Sequence, residues 1–246
     1  MKIINFHEHV SDDLMERNRK LGIDVSVLQS VGSGDEEKGI ALAEKHRGHF
    51  IVFAWLGDLS DIPEQVDRFS TLLENNLVKG VKFQPLIQYF FPEEKRLYPV
   101  YDFCEQRAVP LLFHCGIVTF YEEFGIPHLA RYGNPVLGID EIAYKFPKLP
   151  LVIAHMGGNY FYEACAVAEK HENISLDTAY LSFFCDRFIP RTTPSELIRH
   201  AVRLVGPLKL LYGWEGTDPS IILDAGIADR SKELIMHENA ERLLYR

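Results

Sequence analysis

Cysteine is scarce in this 246-residue sequence. The four present, Cys104, Cys115, Cys165 and Cys185, form no Cys-x-x-Cys pair. That excludes a disulfide-stapled scaffold and a thiolate zinc site, and reads as reduced, buried thiols. Excess positive charge is also missing. Lys and Arg number 26 against 35 Asp and Glu, for a net charge of −9, whereas a nucleic-acid binder needs a basic stripe and an anionic membrane surface attracts basic segments. No apolar run reaches the roughly 20 residues that cross a bilayer, and the N-terminus lacks the three regions of a secretory signal, so a cytoplasmic location is expected. No Gly-x-Gly-x-x-Gly follows any β-rich run, which removes support for a dinucleotide-binding sheet. Linkers and low-complexity tracts are absent, so residues 1–246 read as a single domain. The expected partner is a small molecule, with no nucleic acid and no membrane; a homo-oligomer stays open.

What is present is a rhythm. Short β-rich runs fall at 2–7, 24–29, 50–55, 78–83, 109–114, 151–155, 173–177 and 208–212. Helix-like stretches lie between most of them. Asp61-Ile-Pro-Glu opens one with an N-cap candidate and an early proline; others cover 98–107, 138–146, 162–170 and 232–244. Strands alternating with helices about every 25–40 residues predict a parallel sheet of βα units. Eight units in this length favour a closed (β/α)8 TIM barrel. One connection is long, residues 116–134, and carries Phe120, Tyr121, Phe124, His128, Arg131 and Tyr132. It reads equally as a lid over the catalytic face or as a packed surface excursion.

Against that frame the histidines stand out. His7 and His9 sit in KIINFHEHV; on an extended strand they share a face and Glu8 takes the other. His114 ends PLLFHCG and His155 ends LVIAHMGG. In a barrel the C-terminal strand ends converge on one mouth, so four of the ten histidines are expected there. Imidazoles suit Zn2+, Mn2+ or Fe2+, and a catalytic ion takes about three protein ligands. An acid is expected from LLYGWEGTDPS, where Glu215 and Asp218 are both candidates. Lys82 in VKGVKFQP is expected to face the barrel interior, to orient a substrate carboxylate, to be carbamylated and bridge two metals, or to form a structural ion pair. Asn159 and Arg131 are further substrate-contact candidates. Asp177, ending the seventh run, either supports a ligand or caps the next segment.

Taken in order, these segments resemble the amidohydrolase superfamily, in its amidohydrolase-related branch (amidohydrolase 2) of metal-dependent hydrolases and decarboxylases. The resemblance runs from the His-x-His strand through VKGVKFQP, the two His-ended strands and ENISLDTAY to LKLLYGWEGTDPS and ENAERLLYR. It implies a barrel without a flanking β-sandwich and a divalent metal, Zn2+ or Mn2+, at the mouth. It matches the metal ligands to His7, His9, His114 and an eighth-strand acid, and His155 to a residue that acts on substrate or binds a second ion. The family's Gly-Thr/Ser-Asp signature places Asp218 as the acid; counting from Gly213 places Glu215. The signature match is preferred, with Glu215 the rival. Gln84 stands where the family often has His, which favours one ion over two. The activity implied is hydrolysis of a small ester, lactone or amide by a metal-activated water, with Asp218 or Glu215 and His155 catalytic. The alternative is decarboxylation or hydration of an unsaturated or aromatic acid. A binding barrel without turnover is a third reading. A TatD-like nuclease also begins with His-x-His, but the acidic charge and Lys82 disfavour it.

Overall fold

A computed structural model describes residues 1–123 and 125–245; Phe124 of the long connection lies outside the described residues. Eight strands pair in chain order, all parallel: β1 (Ile4–Glu8), β2 (Val25–Gln29), β3 (Phe50–Trp55), β4 (Gly80–Phe83), β5 (Leu111–Phe113), β6 (Leu151–Ile153), β7 (Ile174–Asp177) and β8 (Leu210–Leu211). The Phe6 amide donates to the Tyr212 carbonyl at 2.7 Å, which brings the first strand against the last. The result is the expected (β/α)8 TIM barrel, with every strand inside or within a residue of its predicted run.

Helices α1 (Leu14–Leu21), α2 (Ser33–Lys45), α3 (Ile62–Glu74), α4 (Tyr98–Gln106), α5 (Val136–Lys145), α6 (Phe161–Lys170) and α7 (Pro194–Val205) fill the crossovers. The start of α3 follows from its sequence: the Asp61 carboxylate accepts the Glu64 amide at 3.1 Å, with proline in the first turn. Thr193 and Glu196 close a capping box on α7. The last helix departs from expectation. Instead of one run it comprises α8 (Asp229–Glu233), a π-turn (Leu234–Glu238) and α9 (Asn239–Leu244). At that π-turn the Ile235 carbonyl accepts the Tyr212 amide at 3.0 Å, tying the helix to the end of the shortest strand. Among the described residues no helix is long and apolar enough to cross a membrane.

Two apolar layers position the site. Ile4, Phe6, Val25, Val27, Phe53, Leu112, Val152 and Leu211 fill the barrel interior. Leu28, Val52, Val81, Phe83, Phe113 and Ile153 face outward to the helices. Lys82 pairs in register with Leu112, which pairs with Val152, so Lys82 belongs to the inner layer as expected. The first strand hides a departure. With Ile4 and Phe6 inward, strict alternation would turn His7 outward. The register shifts between Asn5 and Glu8: Asn5 pairs with Ser26, but Glu8 pairs with Leu28. This β-bulge spends two residues, Phe6 and His7, opposite one of β2, so both point inward and His9 follows.

Candidate metal centre

The mouth is built on those strand ends. His7, fully buried, directs Nδ1 at the Asp177 carboxylate (2.8 Å) and Nε2 at Lys82 Nζ (3.2 Å). His9 directs Nδ1 at the Gln29 carbonyl (2.8 Å), and its Nε2 lies 3.2 Å from Glu215 Oε1. His155 directs Nδ1 at the Ala179 carbonyl (3.0 Å) and Nε2 at His114 Nδ1 (3.1 Å). His114 directs its other nitrogen, Nε2, at the Gly116 carbonyl (3.1 Å). The rings of His7 and His155 stack with centroids 4.9 Å apart. Glu215 Oε2 is 3.6 Å from His155 Nδ1 and 3.8 Å from His7 Nε2.

Each imidazole thus faces an obligate acceptor with one nitrogen. Placing the proton there leaves the other nitrogen bare. His114 Nδ1 and His155 Nε2 then confront each other as two lone pairs; His9 instead lies between two acceptors, the Gln29 carbonyl and Glu215, and the Glu215 contact favours its protonated form. Glu215 Oε2 is buried without a hydrogen-bond partner. A set of buried acceptors with no proton to share is costly. A cation answers it, so the residues present fit a divalent ion. Among the described residues, His7, His155 and Glu215 form a group whose ligand atoms lie within 4.8 Å of one another.

Electrostatics agree for three of the four rings; at His9 burial is outweighed by Glu215, which raises the imidazole pKa. Burial pushes His7 and His114 well below the ordinary imidazole range, and His155 down to about 4, so all three are neutral near pH 7. Burial lowers Lys82 to about 8, with Glu215 and Asp177 opposing. Burial alone would raise Glu215; the surrounding imidazoles override it and hold the carboxyl well below its usual range.

The expected acid needs correction. Asp218 is exposed, and its carboxylate accepts the Ser220 amide at 2.8 Å, away from the cluster. The reason is the turn after β8. Glu215 (φ 31°) and Gly216 (φ 85°) both take left-handed backbone, which brings Glu215 back over the barrel. Thr217 is then pinned, its carbonyl by the Tyr212 hydroxyl (3.0 Å) and its side chain by the Leu181 amide (3.1 Å), so Asp218 emerges on the outer side. His155 groups with His7 and Glu215, and its Nε2 meets His114 Nδ1 at 3.1 Å, so all four strand-end histidines lie in one cluster. Asn159 is exposed, and its side-chain oxygen accepts the Ile117 amide at 2.7 Å, anchoring the long connection rather than facing the cluster. Arg131 is exposed with its guanidinium 5.2 Å from the ring centroids of Phe91 and Tyr132. Its charge is engaged on an aromatic surface.

The His155 segment is held by strain and glycine. His155 (φ 57°) and Met156 (φ 49°) are left-handed, followed by Gly157 and Gly158 at positive φ. A Cβ on Gly157 would lie 2.5 Å from Ala164 Cβ. The sharp turn lifts the His155 ring across the mouth, and Asp177 braces it by accepting the His155 amide at 2.9 Å. Asp177 therefore plays both parts weighed for it, since it also accepts the Ala179 amide (3.0 Å) at the start of the next segment.

Some contributors escaped notice in the sequence. Glu8 accepts the His9 amide (2.8 Å) and pairs with Arg17 (3.1 Å), whose guanidinium lies 4.1 Å over the Trp214 ring, next to Glu215. The Gln29 contact uses a backbone carbonyl and leaves no residue-type signal. Tyr180 and Phe184 flank His155, with the Phe184 ring 5.8 Å from it, and Phe183 stacks on Tyr180; the aromatic run after β7 could have shown them. The long connection closes at its base through Gly116 and Gly133 (2.9 Å), and Tyr121 packs with Leu86, Val118 and Phe184.

No curated protein matches the sequence. A family profile does: the one described as Amidohydrolase (Amidohydro_2) matches residues 12–246. The chain belongs to this amidohydrolase family. The matched span starts beyond His7 and His9, so their membership in the site rests on the geometry above. Solved structures share the amidohydrolase's fold at low identity. An uncharacterised TIM-barrel protein from Bordetella bronchiseptica superposes with a TM-score of 0.79 at 20% identity, covering 99% of this chain and 98% of that one. A dihydroxybenzoic acid decarboxylase from Polaromonas, with bound manganese and the inhibitor 2-nitroresorcinol, gives 0.74 at 12% identity, covering 99% and 96%. A probable 2-pyrone-4,6-dicarboxylic acid hydrolase from Acinetobacter baumannii, with citric acid bound, gives 0.73 at 10% identity, covering 99% of each chain.

Proposed function

We propose that this amidohydrolase is a metal-dependent enzyme of small organic acids, acting as a hydrolase on an ester, lactone or amide. One observation carries the reading: in a buried mouth the His114 and His155 nitrogens face each other at 3.1 Å, and Glu215 Oε2 lies among the imidazoles without a hydrogen-bond partner. His7, His155 and Glu215, with His9 beside them, would hold one divalent ion; Zn2+ and Mn2+ both suit nitrogen and carboxylate donors. Such an ion, when bound, supplies Lewis acidity and makes a nucleophilic water available at neutral pH. Lys82 Nζ, in the inner layer beside His7, would pair with a substrate carboxylate. Glu215 would accept a proton at Oε2. Tyr180 and Phe184, flanking His155, would exclude bulk water.

The second reading, decarboxylation of an aromatic acid, is favoured by a specific feature: Tyr180 and Phe184 pack against His155 in a mouth that also holds the buried Lys82 ammonium beside His7. The neighbours include both a decarboxylase and a probable hydrolase. The experiment loads chelator-treated protein with Zn2+ or Mn2+, measures bound ion by elemental analysis, and assays acid release from lactones and esters beside CO2 release from hydroxybenzoates. Ion-dependent acid release supports the hydrolase; ion-dependent CO2 release transfers support to the lyase. Protein that takes up no ion ends both.

A further inference from the structure

We infer that Asp177 is a positioning residue that selects which nitrogen of His7 is free to bind a cation, and so sets the site's affinity without contacting the ion. The inference rests on the reading of His7 as a ligand, but its first step can be tested without any ion.

Asp177 ends β7 and is fully buried. Both oxygens are committed. Oδ1 accepts two main-chain amides, His155 at 2.9 Å and Ala179 at 3.0 Å. Oδ2 faces His7 Nδ1 at 2.8 Å. An ionised carboxylate only accepts, so the His7 proton must sit on Nδ1, and Nε2 becomes the unprotonated nitrogen, facing Lys82 Nζ at 3.2 Å and Glu215 at 3.8 Å. The opposite tautomer would set two buried acceptors face to face.

His155 is held in the same tautomeric sense, but by the main-chain carbonyl of Ala179, and His9 has an acceptor at each nitrogen, the Gln29 carbonyl and Glu215. His114 is likewise held through the Gly116 carbonyl. Of the four imidazoles, His7 alone has a side-chain carboxylate on one nitrogen and a side-chain ammonium on the other, so its tautomer is the one that a substitution can reverse. The same carboxylate braces the left-handed His155 backbone, so one group from β7 sets a ring from β1 and the backbone of one from β6.

Asp177→Asn is nearly isosteric and makes a sharp prediction. Two amide donors require an oxygen at the Oδ1 position; the reverse orientation would oppose an NH2 to both. The amide nitrogen therefore takes the Oδ2 position and donates to His7 Nδ1, and the His7 proton moves to Nε2, where Lys82 gives up its contact and Glu215 Oε2, 3.8 Å away, is the carboxylate in reach. Nitrogen-15 NMR of histidine-labelled, metal-free protein reads this directly: wild type is expected as Nδ1–H and Asp177→Asn as Nε2–H at His7. Calorimetric titration with Mn2+ and with Zn2+ is expected to show affinity reduced about 10–100-fold, with the metal-free melting temperature near that of wild type. A merely structural role would lower the melting temperature and leave the tautomer alone. The inference is overturned if wild-type His7 carries its proton on Nε2, a result that needs no variant to fold. It is equally overturned if Asp177→Asn switches tautomer yet binds both ions as wild type does. If wild type shows the Nδ1–H form and binds neither ion, the metal reading fails while the tautomer selection stands.

Discussion

Replacing Glu215 by Gln removes one charge from the centre and keeps its shape. Its Oε1 lies 3.2 Å from His9 Nε2, and its Oε2 lies 3.6 Å from His155 and 3.8 Å from His7. Truncating one partner of a buried charged pair costs about 2–5 kcal/mol. The Glu215 side chain is 23% exposed, so solvent screens part of the interaction and the lower half of that range applies. About 2.8 kcal/mol is a factor of 100 in affinity, which is the expected loss for Mn2+ or Zn2+. Competition against a fluorescent chelator measures it. Asp218→Asn is the control: an exposed side chain engaged with the Ser220 amide should shift affinity by no more than about twofold. The reverse pattern, with Asp218→Asn losing the ion and Glu215→Gln retaining it, would refute the placement of the acid.

Two further outcomes follow from the same geometry. Gly157→Ala forces a Cβ to within 2.5 Å of Ala164 at φ 88°; left-handed strain of about 1–2 kcal/mol plus overpacking of about 1–3 should lower stability by roughly 2–5 kcal/mol in urea unfolding, and a loss under about 1 kcal/mol would contradict the close packing. In metal-stripped protein, buried His155 has its pKa lowered from 6.5 to about 4. Between those values the unfolded chain binds a proton that the folded chain refuses, so stability is highest above pH 6.5 and falls as pH drops toward 4. His155 alone contributes about 3 kcal/mol to that fall, and His7 and His114 act in the same direction; denaturant midpoints that stay flat from pH 7 to 4.5 would contradict the burial.

The barrel was legible because its signals are local. An apolar run ending in a polar residue, repeated eight times with amphipathic stretches between, leaves few topologies, and a parallel crossover has one favoured hand. The histidines at four strand ends were legible for the same reason: each is the first polar group after a run that must be buried. What residue order alone could not decide is which way each group faces once the strand stops. Counting alternation from Ile4 and Phe6 points His7 outward, and only the bulge against β2 turns it in. Motif matching chose Asp218, and only the left-handed turn at Glu215 and Gly216 brings the other acid back over the mouth. Asn159 was read as a substrate contact because it follows a site histidine, yet its partner is an amide from a connection 42 residues away. The histidine protons were hidden altogether, being set by Gln29, Ala179 and Asp177 from other strands. Composition and period determined the scaffold and the ring of imidazoles; tertiary structure decided which acid returns over the mouth and what each imidazole nitrogen faces, because those depend on single backbone dihedrals and on partners distant in the chain.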